Sequence, residues 1–275
     1  MASEPETDPA AALQARFAAF YEQLAHSPFL QQLEVESFES SRTSGSHIYA
    51  IVNHPIATVS GALTSPTGWC DALLLHFNVK YCHPLAHADR ILLSVAIGKK
   101  REQPLRSAYR VEFDFRVVAS RPDYVAVQLE AAKGPYGTGN YRIALEAVGI
   151  DAERTFVHVV YSYNHGFVGR VAMQMYLATS GSGKVGFTMI GDPNNPRPKY
   201  IGGARGAIER NTMRYYLAIE AYLDALATPA TERFEQSAEQ WFSATERYSL
   251  QLHEISRDNY LAMKRNEYQR QQSVR

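Results

Sequence analysis

The chain has 275 residues, 45% apolar and 20% charged, with 28 basic against 28 acidic side chains and a pI of about 7.1. That is enough for one sizeable domain or two small ones, with an ordinary globular balance. A net charge of zero without a basic stripe argues against a nucleic-acid partner, and no run approaches the roughly 18 apolar residues of a membrane helix.

The start, "MASEPETDPAAALQARF", is acidic and lacks an apolar core, so as written it is not a signal peptide. A mature secreted chain is still compatible with it. From about Pro9 to His26 the pattern is helical, with Leu13, Phe17, Phe20, Tyr21 and Leu24 recurring at three- and four-residue steps. "LEVESFESS" and "SHIYAIVNH" alternate as two strands around the turn-prone "RTSG". The period then changes. Ile56, Val59 and Leu63 make one short helical face, "TSPTG" breaks it, and "WCDALLLHF" makes a second helix.

From about Arg90 to Asn164 strand follows strand. "SAYRVEFDFRVVAS" alternates strictly, with Tyr109, Val111, Phe113, Phe115 and Val117 on one face and Arg110, Glu112, Asp114 and Arg116 on the other. Short Gly, Pro and Asp connections make these strands antiparallel neighbours in a meander. One apolar face of such a sheet needs a cover. "YIGGARGAIERNTMRYYLAIEAYLDALATP" supplies it. From about Ala204 to Leu226, Ile208, Thr212, Tyr215, Ile219, Tyr222 and Leu226 form an apolar stripe on a helix roughly 35 Å long. Gly202, Gly203 and Gly206 do not make a phosphate loop, because no lysine and hydroxyl pair follows them. They read as a turn and a close approach of the helix to the sheet.

Before that helix, "RVAMQMYLAT" fits helix or strand, "VGFTMIG" reads as a strand and "DPNNPRP" as a loop. After it, Thr228 and Pro229 suit a helix start. Phe234, Ala238, Trp241, Phe242, Thr245, Tyr248, Leu252 and Ile255 then keep a helical stripe, weakly continued by Tyr260, Met263 and Tyr268. The polar end "NEYQRQQSVR" is expected to fray. The aromatics of this tail are expected to be buried on the body or in a partner.

The order of strand, two short helices, antiparallel meander and one long helix resembles the START-like, helix-grip superfamily. That group includes the steroidogenic acute regulatory-related lipid transfer domains, the bacterial polyketide cyclases and the birch-pollen allergen family. The matching stretches are "IYAIVNHPIATVSGALTSPTGWCDALL", the meander from Arg106 to Asn164 and the helix from Ala204 to Leu226, within about residues 30–227. The expected organisation is an α+β helix-grip domain over 30–228, with helical extensions at 1–29 and 229–275. The resemblance implies a cavity between sheet and helix for a hydrophobic or amphiphilic molecule such as a lipid, a sterol or a fatty-acid-like compound. It supplies no common catalytic residue. A cyclase or aromatase using the same cavity, and an interaction module using the aromatic tail, are the alternatives.

The expected ligand contacts are Tyr215, Ile219 and Tyr222 from the helix and Tyr109, Phe113 and Tyr141 from the sheet. Arg205, Glu209, Arg210 and Arg214 cluster at the helix start. Arg210 is the candidate to hold a carboxylate or phosphate head with its forked donors, against a solvated turn of internal ion pairs. Cys70 and Cys82, the two cysteines, stand close enough to form a disulfide, which would favour a periplasmic or secreted location. Two buried thiols in the cytosol are the alternative. His76, Cys82, His83 and His87 lack zinc-site spacing, so neither metal nor cofactor is expected. His158 and His165 could serve as a general acid or base, but no partner carboxylate is assignable from sequence.

Overall fold

The structure, a computed structural model, describes residues 8–87, 89–179, 181–192 and 198–273. Its centre is an eight-stranded, curved antiparallel sheet in the order β1-β2-β8-β7-β6-β5-β4-β3. β1 (Leu33–Glu39) and β2 (Thr43–Val52) form the first hairpin. Two short helices follow, α2 (Ile56–Leu63) and α3 (Pro66–Leu74). The meander is β3 (Val79–His87), β4 (Arg90–Ile97), β5 (Tyr109–Ser120), β6 (Tyr124–Lys133), β7 (Thr138–Gly149) and β8 (Thr155–His165). It therefore begins one strand earlier than the expected Arg90, and β8 returns to pair with β2. Register shifts at Val79/Tyr81, Val117/Ala119 and Gly139/Arg142 insert bulges, which bend and twist a sheet locally.

The α2–α3 corner explains itself chemically. Pro66 opens α3 where its missing N–H is harmless, and the Ser65 hydroxyl accepts from Gly68 N–H at 3.3 Å. The second helix therefore starts at Pro66, before the expected Trp69. Trp69, fully buried, donates its indole N–H to the Leu63 carbonyl at 2.6 Å and locks the two helices together.

After β8 come α4 (Phe167–Ala178), a two-residue ladder of β9 (Met189–Ile190) with β10 (Lys199–Tyr200), and α5 (Gly203–Asp224). The ambiguous "RVAMQMYLAT" is thus mostly helix, and "VGFTMIG" is a strand only at its end; most of "DPNNPRP" lies outside the described residues. α5 crosses the inner face of the sheet against β1, β2 and β8. Val111, Phe113 and Phe115 of β5 lie buried in the shared core. Tyr109 and Val117, at the two ends of that alternation, are exposed instead. Gly203 has φ +65°, a conformation that glycine tolerates at this turn. A Cβ on Gly206 would stand 2.7 Å from the Ile201 carbonyl, so its close approach is to the β10 segment and not to the sheet.

Both extensions are packed. α1 (Pro9–Ala25) lies on the outer face, where Leu13, Phe20 and Leu24 meet Tyr49, Tyr124 and Phe156. The tail forms α6 (Arg233–Glu246), a single turn α7 (Ser249–Leu252) and α8 (Arg257–Gln272). α6 starts four residues after Pro229, behind a turn rather than at the Thr228–Pro229 pair. Trp241 and Phe242 are buried against α5 and α8 within this chain. α8 does not fray at "NEYQRQQ": it lies along the β3 edge, where Gln271 Oε1 accepts from the Cys82 N–H at 3.0 Å. A covered edge cannot recruit another strand.

Candidate functional site

The first half of α5 and the second half approach the sheet differently. Under the second half, Val59 and Leu63 of α2 and Trp69 and Leu73 of α3 fill the space, and a Cβ on Gly68 would come within 2.9 Å of the Tyr222 hydroxyl. Ile219 and Tyr222 are accordingly core residues of the closed half, whereas Tyr215, also buried, stands behind the pocket wall with its ring 5.2 Å from Tyr161. The first half presents the small Ala204 and Ala207 to the sheet, and there a pocket of about 600 Å³ opens between α5, α4, β7 and β8. This volume lies in the usual range for small-molecule sites.

Three tyrosines make its sheet wall. Tyr141 of β7 stacks on Tyr163 of β8 at 5.4 Å between ring centres, and Tyr161 stands 5.9 Å from Tyr163. Alternation along β8 puts Tyr161, Tyr163 and His165 on one face. A Cβ on Gly134 would collide with the Tyr141 ring at 2.1 Å, so a bare backbone seats that ring. The Tyr141 hydroxyl shares a 2.6 Å hydrogen bond with Thr138 Oγ1. Burial raises the Tyr141, Tyr161 and Tyr163 phenols above their ordinary range, so all three stay protonated at neutral pH. α4 closes the opposite side with Gly169, Ala172, Met173 and Leu177.

The far end of the pocket is polar. Asn211 lies within hydrogen-bonding reach of the Tyr161 and Tyr215 hydroxyls, and its Oδ1 accepts from His76 Nε2 at 3.0 Å. The Asn78 N–H donates to His76 Nδ1 at 3.2 Å, which fixes the tautomer. Burial, aided by Arg214 and Lys264, holds His76 well below its usual value, so this imidazole is neutral. Lys100, Arg210 and Arg214 complete the wall. Lys100, Lys184 and Arg214 all converge on one carboxylate, Glu254, which enters from the segment between α7 and α8; the Arg214 contact is 2.7 Å. Burial pushes Glu254 up, but Arg214 and Lys100 outweigh it and hold the carboxyl at about 2. Burial and the adjacent Arg214 bring Lys100 down to about 8.

Of the sequence candidates, Tyr141 and Arg210 line this pocket. Tyr109 sits exposed at the end of β5. Phe113 is buried in the sheet core. The charged start of α5 is not a solvated turn, since Glu209, Arg210 and Arg214 are all buried. Glu209 accepts from Ser37 Oγ, from the Phe187 and Thr188 N–H groups and from Thr188 Oγ1, and so staples β1 and the 187–188 segment to the helix. Arg210 donates to the Val185 carbonyl at 3.1 Å. Sequence reasoning missed Tyr161, Tyr163, Asn211, Lys100 and Glu254. The β8 alternation beside Tyr141 could have found the two tyrosines.

Cys70 and Cys82 form a disulfide with Cα atoms 5.1 Å apart, tying α3 to β3. His165 lines the pocket 3.2 Å from Ser44 Oγ, and its buried Nδ1 has no partner among the described residues. His158 faces the opposite side, where it hydrogen-bonds His47 at 2.9 Å and Glu146 at 3.3 Å beneath α1. No described helix is long and apolar enough to cross a membrane.

The strand order and the single long helix across the inner face decide the architecture. The chain has an α+β helix-grip fold. It is similar to the Zhui aromatase/cyclase from a Streptomyces species, at 11% identity over 72% of this chain and 98% of that one, with a TM-score of 0.38. It is similar to human StAR-related lipid transfer protein 5, at 10% identity over 63% and 92%, with a TM-score of 0.33. A conserved protein from Geobacillus kaustophilus gives 12% identity over 66% and 95%, with a TM-score of 0.38. No family model matches the chain, and no curated protein does.

Proposed function

We propose that this protein binds a hydrophobic or amphiphilic small molecule in the pocket between α5, α4 and the tyrosine wall, as a carrier or sequestering protein. The observation that carries this reading is the wall itself: three tyrosines packed ring to ring, with Ala172, Met173 and Leu177 of α4 beside Arg170 and Gln174, lining about 600 Å³. Ligand pockets combine mostly apolar walls with a few convergent polar groups in this way. Phenols held protonated give hydrogen bonds to a ligand without acting as bases. The Cys70–Cys82 bridge favours an oxidising compartment, periplasmic or secreted.

A cyclase-type enzyme is the weaker reading. Its best support is the His165–Ser44 contact, in which, among the described residues, no carboxylate orients the imidazole. An interaction module built on the tail is weaker still, because the tail's aromatic stripe is used up inside this chain.

Native mass spectrometry of the purified protein with organic extraction tests the carrier reading. The expected result is a copurified lipid-like molecule, or uptake of one from a panel of fatty acids, sterols and phospholipids. Ala207→Trp, which fills the pocket from α5, should abolish that uptake while leaving the melting temperature within a few degrees. Uptake of every tested compound that is absent in the parent protein, or unchanged in Ala207→Trp, would overturn the reading.

A further inference from the structure

α4 is apolar on both faces. Gly169, Ala172, Met173 and Leu177 turn inward and line the pocket. Phe167, Val171 and Met175 recur at four-residue steps on the opposite side and are exposed, Phe167 at 74% and Met175 at 66%. A helix that is apolar all round is ordinarily buried all round, and a contiguous apolar stripe left in water marks an interaction face. The Pro135–Gly137 turn packs beside this helix, where a Cβ on Gly169 would stand 3.6 Å from the Tyr136 carbonyl oxygen. Tyr136 holds φ +58°, a left-handed conformation that is costly for a bulky residue, and it is 77% exposed. The backbone is thus strained to hold a large ring in water next to α4. The surroundings are basic. Phe167, Arg42 and Arg170 line one shallow groove, and Arg170 Nη1 donates to the Ser41 carbonyl at 3.5 Å. Both arginines are exposed, and among the described residues neither has a carboxylate at ion-pair distance. Glu39 is the acid on the neighbouring pocket rim. No acidic residue occurs between Arg154 and Asp192, a span that holds all of β8, α4 and β9. The groove and the pocket share Thr138, His165 and Arg170, so the pocket reaches the surface next to the stripe.

We propose that the outer stripe of α4, together with Tyr136, docks on the surface of an anionic lipid bilayer. Phe167, Val171 and Met175 enter the boundary between head groups and acyl chains, and Arg42 and Arg170 meet the phosphates. The proposal rests on the ligand-binding reading for its purpose, which is to set the mouth of the pocket where an amphiphile can pass between bilayer and protein. Its geometry stands without that reading. Interfacial helices combine buried apolar area with basic side chains on their flank, and this one has both. With 12 residues α4 is about 18 Å long, too short to span a bilayer and suited to lying in its plane. A second copy of the chain is a poorer occupant, because two-fold pairing of the stripe with itself would bring Arg42 and Arg170 towards their own counterparts.

The test is flotation of the full chain with vesicles of phosphatidylcholine alone and of phosphatidylcholine mixed with phosphatidylglycerol. The mixed vesicles should bind the protein more tightly, by about five-fold for each arginine engaged. Arg42→Gln should cut binding to the mixed vesicles about five-fold and leave binding to the neutral ones unchanged. Met175→Asp should cut binding to both by at least about ten-fold, the loss expected when a methionine no longer leaves water. Leu250→Asp, at an exposed leucine of α7, should change nothing. Met175 is outside the pocket lining, so Met175→Asp should keep the parent's melting temperature. It should also keep the uptake of fatty acids, sterols and phospholipids measured by native mass spectrometry without vesicles, which shows that the variant is folded. Failure of the parent to bind either vesicle, or binding that Met175→Asp leaves intact, would refute the docking surface, whereas retained uptake in the same preparation keeps the pocket reading. Vesicle binding without uptake of any compound would remove the pocket reading and leave the surface standing. An equal loss in Leu250→Asp would reveal indiscriminate adsorption and overturn the assignment. A dimer in sedimentation velocity that Met175→Asp splits, with no vesicle binding by the parent, would overturn it in favour of self-association.

Discussion

The tail is joined to the body by a buried charge triad whose removal has a calculable cost. Glu267 of α8 accepts from Lys80 Nζ at 2.9 Å and from Lys264 Nζ at 2.7 Å, and all three side chains are 0–1% exposed. Lys264 also donates to the His76 and Val79 carbonyls at 2.7 and 2.8 Å, whereas among the described residues Lys80 has in addition the weak thioether acceptor of Met263 at 3.1 Å. Glu267→Gln keeps the shape and removes the negative charge, leaving two ammonium groups facing a neutral amide. Breaking a buried pair in this way costs about 3–5 kcal/mol. Against a total stability of about 5–15 kcal/mol that is a large fraction. With a urea slope of about 3 kcal/mol per molar, the midpoint should fall by about 1–2 M. The assay is urea unfolding followed by tryptophan emission, since both tryptophans, Trp69 and Trp241, are fully buried and one reports the tail. Two further arms isolate the cause. Adding Lys80→Met to Glu267→Gln should recover at least half of the loss, because the remaining ammonium keeps its two carbonyls and gains the amide oxygen. Burial already holds Lys264 at about 8 beside Glu267. Without Glu267 it should deprotonate more easily, so the variant should lose less, relative to the parent, at pH 9.5 than at pH 7. A midpoint shift below about 0.3 M, or one indifferent to pH and to Lys80→Met, would refute the uncompensated-charge argument.

The disulfide closes a short loop from α3 to β3, so Cys70→Ala with Cys82→Ala should cost about 3 kcal/mol on the chain-entropy estimate. Alkylation of the protein purified from its native compartment should find no reactive thiol, and two alkylated cysteines would defeat the oxidising-compartment reading. On the outer face, burial and the facing His158, with Arg16 and Arg142 nearby, hold His47 down at about 4 from the ordinary 6.5, beside Glu146. Between those values the unfolded chain binds the extra proton, so stability is retained above pH 6.5 and lost as pH falls through about 4. Melting temperatures from pH 7 to 4 should fall less steeply for His47→Gln than for the parent; identical slopes would show that His47 is not responsible.

Much of the architecture follows from local periodicity. The two-residue alternation of β5 and the three- and four-residue steps of α5 are properties of the chain within one element, and they mark which faces need cover before any contact is known. The α2–α3 corner is equally local, written in Ser65, Pro66 and Trp69. What local pattern cannot carry is the outcome of competition between elements for the same surface. Ile219 and Tyr222 on one half of α5 and Ala204 and Ala207 on the other belong to one continuous helix. Only the arrival of α2 and α3 beneath the former closes that half and leaves the pocket at the latter. Nothing within α1 says that its apolar stripe lies on the outer face, over Tyr49 and Phe156. The charged end of the site is the extreme case. Lys100 and Glu254 are 154 residues apart, and a lone lysine in a loop and a lone glutamate in a tail look like ordinary solvated charges. They become an ion pair, with Lys100 half-buried and the Glu254 side chain buried, because the sheet, α5 and the tail helices fold around them, and burial is a property of the assembled core rather than of either residue's neighbours in sequence.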